Sequence, residues 1–111
     1  PPPLLLKQAE LQCTELDAEG LILGVRKAVV FEEKSLIMES GDLILLYTDG
    51  LTEAENPAGE FFGIAPVCHI LHQHTNHSPQ FIIEIIIKQL KQFCQSESFK
   101  DDVTLMIFKR T

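Results

Sequence analysis

Gly41-Asp42-Leu43-Ile44-Leu45-Leu46-Tyr47-Thr48-Asp49-Gly50-Leu51-Thr52-Glu53-Ala54 sets a continuous apolar run between two acids. The Gly-Asp pair suits a tight turn, the run from Leu43 to Tyr47 has the length of a strand buried on both faces, and Asp49-Gly50 ends it. A carboxylate therefore stands at the mouth of a core strand. Such an acid either bonds its own backbone N–H groups in a turn or ligates a cation. A second stretch is built in the opposite sense, with Asp101-Asp102 heading the apolar run Val103 to Phe108. Asp49 follows its strand and Asp101 precedes its own, so antiparallel neighbours would bring both acids to one edge of a sheet. Gathered carboxylates repel one another, and a hard divalent cation such as Mg²⁺ or Mn²⁺ relieves that repulsion through oxygen ligands and retained waters. Two such ions can share an activated water, the layout of metal-assisted phosphoryl hydrolysis. On spacing alone, acids that only close local turns remain the competing reading.

The rest of the chain reads as support for these two strands. At 111 residues, with 45% hydrophobic and 23% charged residues, it has the size of one globular unit. A net charge of −7 argues against binding nucleic acid or an anionic membrane surface, since either needs a surplus of Lys and Arg. The apolar runs are too short to insert in a bilayer, and Pro1-Pro2-Pro3-Leu4-Leu5-Leu6-Lys7 has no basic region before its apolar residues, so a cytoplasmic protein is expected. Cys13, Cys68 and Cys94 are odd in number and widely spaced, which suggests reduced and mostly buried thiols rather than a disulfide framework or a zinc site.

Leu4 to Gln8 and Leu11 to Leu16 read as short strands, and Asp17 to Gly20 as a loop. Gly20-Leu21-Ile22-Leu23-Gly24-Val25 lacks the spacing of a phosphate-binding loop, and Ala28 to Glu39 reads as a hairpin with a polar tip. Asn56-Pro57-Ala58-Gly59 has the residues of a tight turn. The period then changes. Ile64, Val67, Cys68 and Leu71 mark one helix, and Ile83, Ile86, Ile87, Leu90 and Cys94 mark a second, started by Ser78 as cap and Pro79 at the first helical position. His69, His72, His74 and His77 read as a solvated helix face rather than a zinc site, and Lys88, Lys91, Lys109 and Arg110 as surface charges. The expected class is α+β: mainly antiparallel strands, with two helices in the C-terminal half.

The quoted stretch, continued by Glu55-Asn56 and by Gly59-Glu60-Phe61-Phe62-Gly63, resembles the bacterial SpoIIE-like branch of the metal-dependent, type 2C-like serine/threonine protein phosphatases. Asp101-Asp102-Val103-Thr104-Leu105 is similar to that family's last motif, Gly20 to Val25 to its glycine-leucine-glycine segment, and Pro2 to Leu6 to another of its stretches. Four motifs in order make the likeness specific. It implies the later part of an α-β-β-α sandwich, with residues 1–111 forming the C-terminal portion of one phosphatase domain whose N-terminal portion is absent. It further implies that Asp49 and Asp101 are metal ligands, that Gly50 aims Asp49, and that Thr52, Glu53 and Asp102 have supporting or turn-forming roles. No catalytic residue beyond the metal ligands is implied.

In the family, water bridging two Mn²⁺ or Mg²⁺ ions attacks phosphoserine or phosphothreonine. The implied partners are a phosphorylated regulatory protein, such as an anti-sigma-factor antagonist, and an upstream sensor or receiver domain. With only part of the carboxylate set, the isolated chain is expected to be inactive, and uncovered apolar sheet surface to favour self-association. The alternative is a non-catalytic partner-binding module derived from the phosphatase fold.

Overall fold

The computed structural model describes residues 3–7, 13–15 and 39–110. Gly20 to Val25 and all but the last residue of the expected hairpin lie outside these residues. Within them, β1 (Leu4–Leu6), β2 (Cys13–Glu15), β3 (Leu43–Tyr47) and β4 (Leu105–Lys109) form one four-stranded sheet in the order β2-β1-β3-β4. Every neighbouring pair is antiparallel, with Leu4 opposite Leu45 and Leu45 opposite Ile107. The strands are shorter than the apolar runs suggested. β4 begins at Leu105 rather than Val103, because the backbone of Thr104 is engaged by Thr48.

Three further elements complete the described chain: the four-residue helix α1 (Asp49–Thr52), α2 (Ala65–Gln73) and α3 (Pro79–Cys94). In α3 the Ser78 hydroxyl accepts the Phe81 N–H at 3.2 Å and Pro79 occupies the first turn, so the start is as the sequence predicts. Sixteen residues and a cap outweigh the β-branched isoleucines. The helix ends on Gln95, held at φ 54° in the left-handed region while its N–H bonds the carbonyl of Lys91. The buried stripe is Ile82, Ile86 and Leu90: Ile86 and Leu90 are as expected, Ile82 is buried in place of Ile83, and Ile83, Ile87 and Cys94 are half-buried.

Leu4, Leu6, Leu43, Leu45 and Ile107 face the helices and join Leu51, Val67, Ile70, Leu71, Ile82, Ile86 and Leu90 in one core. The core thus lies between one side of the sheet and the pair α2–α3. β3 is not buried on both faces. Leu46 is 37% exposed, and Met106 and Phe108 are 50% exposed. The register sets Leu46 beside Met106 and Ile44 beside Phe108, so these four residues share the face away from the helices. At the far end of the sheet, Lys109 Nζ donates to the carbonyls of Thr75 at 2.6 Å and His77 at 3.2 Å. This lysine is a tie between β4 and the α2–α3 turn, rather than the free surface charge expected.

Candidate metal centre

Strand β3 runs out at Tyr47, which lies opposite Leu105 at the start of β4. The segments bearing Asp49 and Asp101-Asp102 therefore leave the sheet at the same end, as antiparallel pairing requires. Thr48 fastens them together. Its N–H donates to the Thr104 carbonyl at 3.1 Å, its hydroxyl donates to the Asp102 carbonyl at 3.3 Å, and the same oxygen accepts the Thr104 N–H at 3.1 Å. A single residue thus joins two loops 56 positions apart.

Asp49 follows as the first residue of α1. The short helix is set by Leu51 N–H bonding the Thr48 carbonyl at 3.0 Å and Glu53 N–H bonding the Asp49 carbonyl at 2.8 Å, while the fully buried Leu51 side chain anchors it in the core. Gly50 lies against the backbone of Asp102, and a Cβ there would overlap the Asp102 carbonyl oxygen. The expected role of Gly50 as a turn-former is thus sharpened to close approach. Asp49-Gly50 is also helical, where the residues alone read as a simple strand-ending turn.

Asp49, Asp101 and Asp102 are all exposed. Thr52 is half-buried, with its carbonyl accepting the Gly63 N–H at 2.8 Å, and Glu53 is exposed. Beside them is a cavity of about 250 Å³ whose walls include Gly50, Glu53, Glu55, Phe99, Lys100 and Asp101; Asp49 is not among its lining residues. Lys100 stands 3.7 Å from Glu55, so one cation answers three acids around this hollow and a negative surplus remains. Among the described residues, no three His, Cys, Asp or Glu side chains gather closely enough to hold a metal ion. The geometry brings the two acid-bearing segments together through their main chains without completing a ligand cluster.

The adjoining Asn56 turn is as expected: the Asn56 side-chain oxygen accepts the N–H groups of Ala58 at 3.0 Å and Glu60 at 2.9 Å, with Gly59 at φ +83°. Thr48 was not singled out in the sequence. Its signal was a hydroxyl placed between an apolar strand and an acid.

Asp42 is more than a turn residue. It is 2% exposed, accepts the Glu39 N–H at 2.8 Å and pairs with Lys7 at 3.1 Å, tying the start of β3 to the end of β1. The histidines do not form a metal cluster among the described residues: His69 is exposed, and His77 stacks on Phe81 with ring centres 4.4 Å apart while His74 meets His77 edge-on at 5.1 Å. All three cysteines are free thiols and half-buried rather than fully buried.

An antiparallel sheet with helices packed on one side and acid-bearing loops at one end makes this an α+β fold. The SiaA-PP2C domain of Pseudomonas aeruginosa shares it, with a TM-score of 0.59 at 23% identity over 68% of this chain and 31% of that one. At that identity the likeness is one of fold. The family model for stage II sporulation protein E (SpoIIE) matches residues 1–111, and the chain belongs to that family. Phosphoserine phosphatase RsbU of Bacillus subtilis is 29% identical over 96 residues, 86% of this chain and 28% of RsbU. Protein IcfG of Synechocystis sp. is 27% identical over 108 residues, 97% of this chain and 17% of IcfG. The chain spans less than a third of the length of either relative. Among the described residues, no helix is long and apolar enough to cross a membrane.

Proposed function

We propose that this chain is part of a metal-dependent phosphatase acting on phosphoserine or phosphothreonine in a bacterial regulatory protein, with Asp49 and Asp101 as ligands for Mn²⁺ or Mg²⁺. The observation that carries the reading is the Thr48 junction, which sets two acid-bearing loops side by side at one end of the sheet. RsbU, by its name a phosphoserine phosphatase, supports the chemistry.

The donor set suits the ions: exposed carboxylates supply hard oxygens, and neither Cys nor His enters the pair of loops. Asp49 and Asp101 would each offer oxygens to the metal centre, and the missing Cβ of Gly50 lets the first turn of α1 lie against the Asp102 backbone. When bound, divalent ions lower the pKa of the attacking water and neutralise charge on the phosphoryl group. The chain's own part is to hold the two acid-bearing segments together through Thr48, and to keep Glu53 and Glu55 beside them as a negative field that attracts cations.

The test is hydrolysis of a phosphoserine protein substrate by the full-length protein with Mn²⁺. Asp49→Asn and Asp101→Asn should each lower turnover by at least tenfold and raise the Mn²⁺ requirement; undiminished turnover in both variants would sink the ligand assignment. A partner-binding module built on the same fold is the second reading, favoured by the lack of any three clustered metal-binding side chains among the described residues. It predicts Mn²⁺ uptake, if any, without hydrolysis in the full-length protein.

A further inference from the structure

Strand β4 has β3 on one side and, among the described residues, no strand on the other. Its main-chain groups alternate between the two sides. The Thr48 N–H donates to the Thr104 carbonyl at 3.1 Å and the Arg110 N–H donates to the Asp42 carbonyl at 3.1 Å, so the even-numbered residues from Thr104 to Arg110 turn their bonds to β3. Antiparallel pairing then turns the N–H and C=O groups of Leu105, Ile107 and Lys109 toward the open edge. An edge of this kind pairs with another chain unless a charge, a proline or a bulge blunts it. In β4 none does. Its register with β3 runs unbroken from Leu105 to Lys109, it contains no proline, and its one charged residue, Lys109, is drawn off to the Thr75 and His77 carbonyls. The opposite edge strand, β2, has only three residues and bears the exposed Glu15.

We infer that β4 pairs with β4 of a second copy of this chain, antiparallel about a two-fold axis at Ile107. The strand is its own complement there. Residues whose bonds turn outward must meet others of the same kind, and centring on Ile107 pairs all three: Ile107 with Ile107, Leu105 with Lys109 and Lys109 with Leu105, each pair exchanging N–H and C=O groups. Any other centre leaves part of the strand unpaired. Between these bonds Met106 falls opposite Phe108 of the second copy, at the closer spacing of a pair that shares no hydrogen bond, where thioether and ring touch. Both side chains are half-exposed and stand on the face away from the helices, so with Ile44 and Leu46 they extend one apolar strip across the joined sheets.

The self-match favours a second copy over an unrelated peptide. One five-residue strand supplies both sides of the joint, with outward-turned groups and apolar side chains placed symmetrically about its middle residue. Five residues a side make a small contact, so association should depend on protein concentration rather than be permanent. The antiparallel arrangement sends the Asp101-Asp102 segments of the two copies to opposite ends of the joint. The inference therefore stands apart from the metal ligands and from the phosphatase reading.

The experiment uses the full-length protein. Met106→Cys and Phe108→Cys variants are mixed, oxidised with copper phenanthroline and mapped by mass spectrometry without reduction. Directly opposed residues of such a pair lie within the span of a disulfide, so a link between positions 106 and 108 of different copies is expected, several-fold above the like-with-like links formed by either variant alone. Amide hydrogen exchange on the unmodified protein gives a second reading. Protection of the Leu105, Ile107 and Lys109 N–H groups should rise with protein concentration, while the Met106 and Phe108 N–H groups, bonded to β3, stay protected throughout. The double variant Met106→Lys with Phe108→Lys sets ammonium groups opposite one another on an already exposed face and should remove that rise. Protection at Leu105, Ile107 and Lys109 that is absent at every concentration, or unchanged in the double variant, would overturn the inference, as would a 106–108 link no more abundant than the like-with-like links.

Discussion

Thr48 has one side-chain oxygen that acts as donor to Asp102 and acceptor from Thr104. A valine has the same shape without either bond, and a serine keeps both. Thr48→Val should cost about 1–2 kcal/mol in denaturant unfolding, since two hydrogen bonds of ordinary strength are lost at a partly wet position. It should also raise the Mn²⁺ concentration for half-maximal activity several-fold, with Thr48→Ser restoring most of it. An unchanged Mn²⁺ requirement in Thr48→Val would show that the junction is structural alone.

A second residue-scale expectation concerns alkali. Burial raises the Cys13 and Cys68 thiols above their ordinary value of 9.0, and raises the Tyr47 phenol above 10.0. The folded chain then binds these protons more tightly than the unfolded chain. Their contribution to stability is complete below pH 9 and declines as pH rises through the raised values. The melting temperature should fall above pH 9 in the reduced protein, and less steeply in Cys13→Ala; parallel curves for the two would contradict this.

At the scale of elements, the two long helices could be read from period and cap, whereas α1 could not. Ser78-Pro79 marks the start of α3 by itself, and Ser78→Ala should cost about 1 kcal/mol by thermal or urea unfolding, because the Phe81 N–H loses its partner. Asp49-Gly50 carries the marks of a turn, and what makes it helical lies elsewhere in the chain: the buried Leu51 and the Asp102 backbone against Gly50. Strand pairing was legible in the same partial way. Two acid-bounded apolar runs predicted a shared sheet end, but the loss of Val103 and Thr104 from β4 depends on the bonds to Thr48. The exchange of Ile83 for Ile82 in the α3 stripe has a similar cause, because a run of isoleucines offers several equivalent faces and packing against the sheet selects Ile82, Ile86 and Leu90.

For the molecule as a whole, the apolar sheet face was foreseen as a source of self-association, and the pairs Ile44–Phe108 and Leu46–Met106 give it a location. Replacing Met106 and Phe108 by Thr should leave unfolding free energy within about 1 kcal/mol, as both are half-exposed and Thr suits a strand. Any self-association seen in sedimentation velocity should decline in that variant; persistence would move the contact elsewhere. The end of the sheet at which the Asp49 and Asp101 segments lie was legible in the sequence. The hydroxyl junction was not, since it joins residues whose proximity exists only after the sheet has formed.

That sheet has an order of assembly written into it. β3 is flanked by β1, made well before it, and by β4, whose anchoring residue Thr104 follows Thr48 by 56 positions. On a ribosome adding residues one after another, β3 emerges with one edge matched and the other open, and α2 and α3 are made while that edge waits. Pairing across such a separation is slow compared with helix formation. The nascent chain therefore passes through a stage with helices formed, Leu43 and Leu45 incompletely covered, and Asp49 present without its Asp101 neighbour. Completion of the fold and approach of the two acid-bearing segments then occur in a single late event, so a ribosome stalled before β4 emerges should hold a chain that is still protease-sensitive.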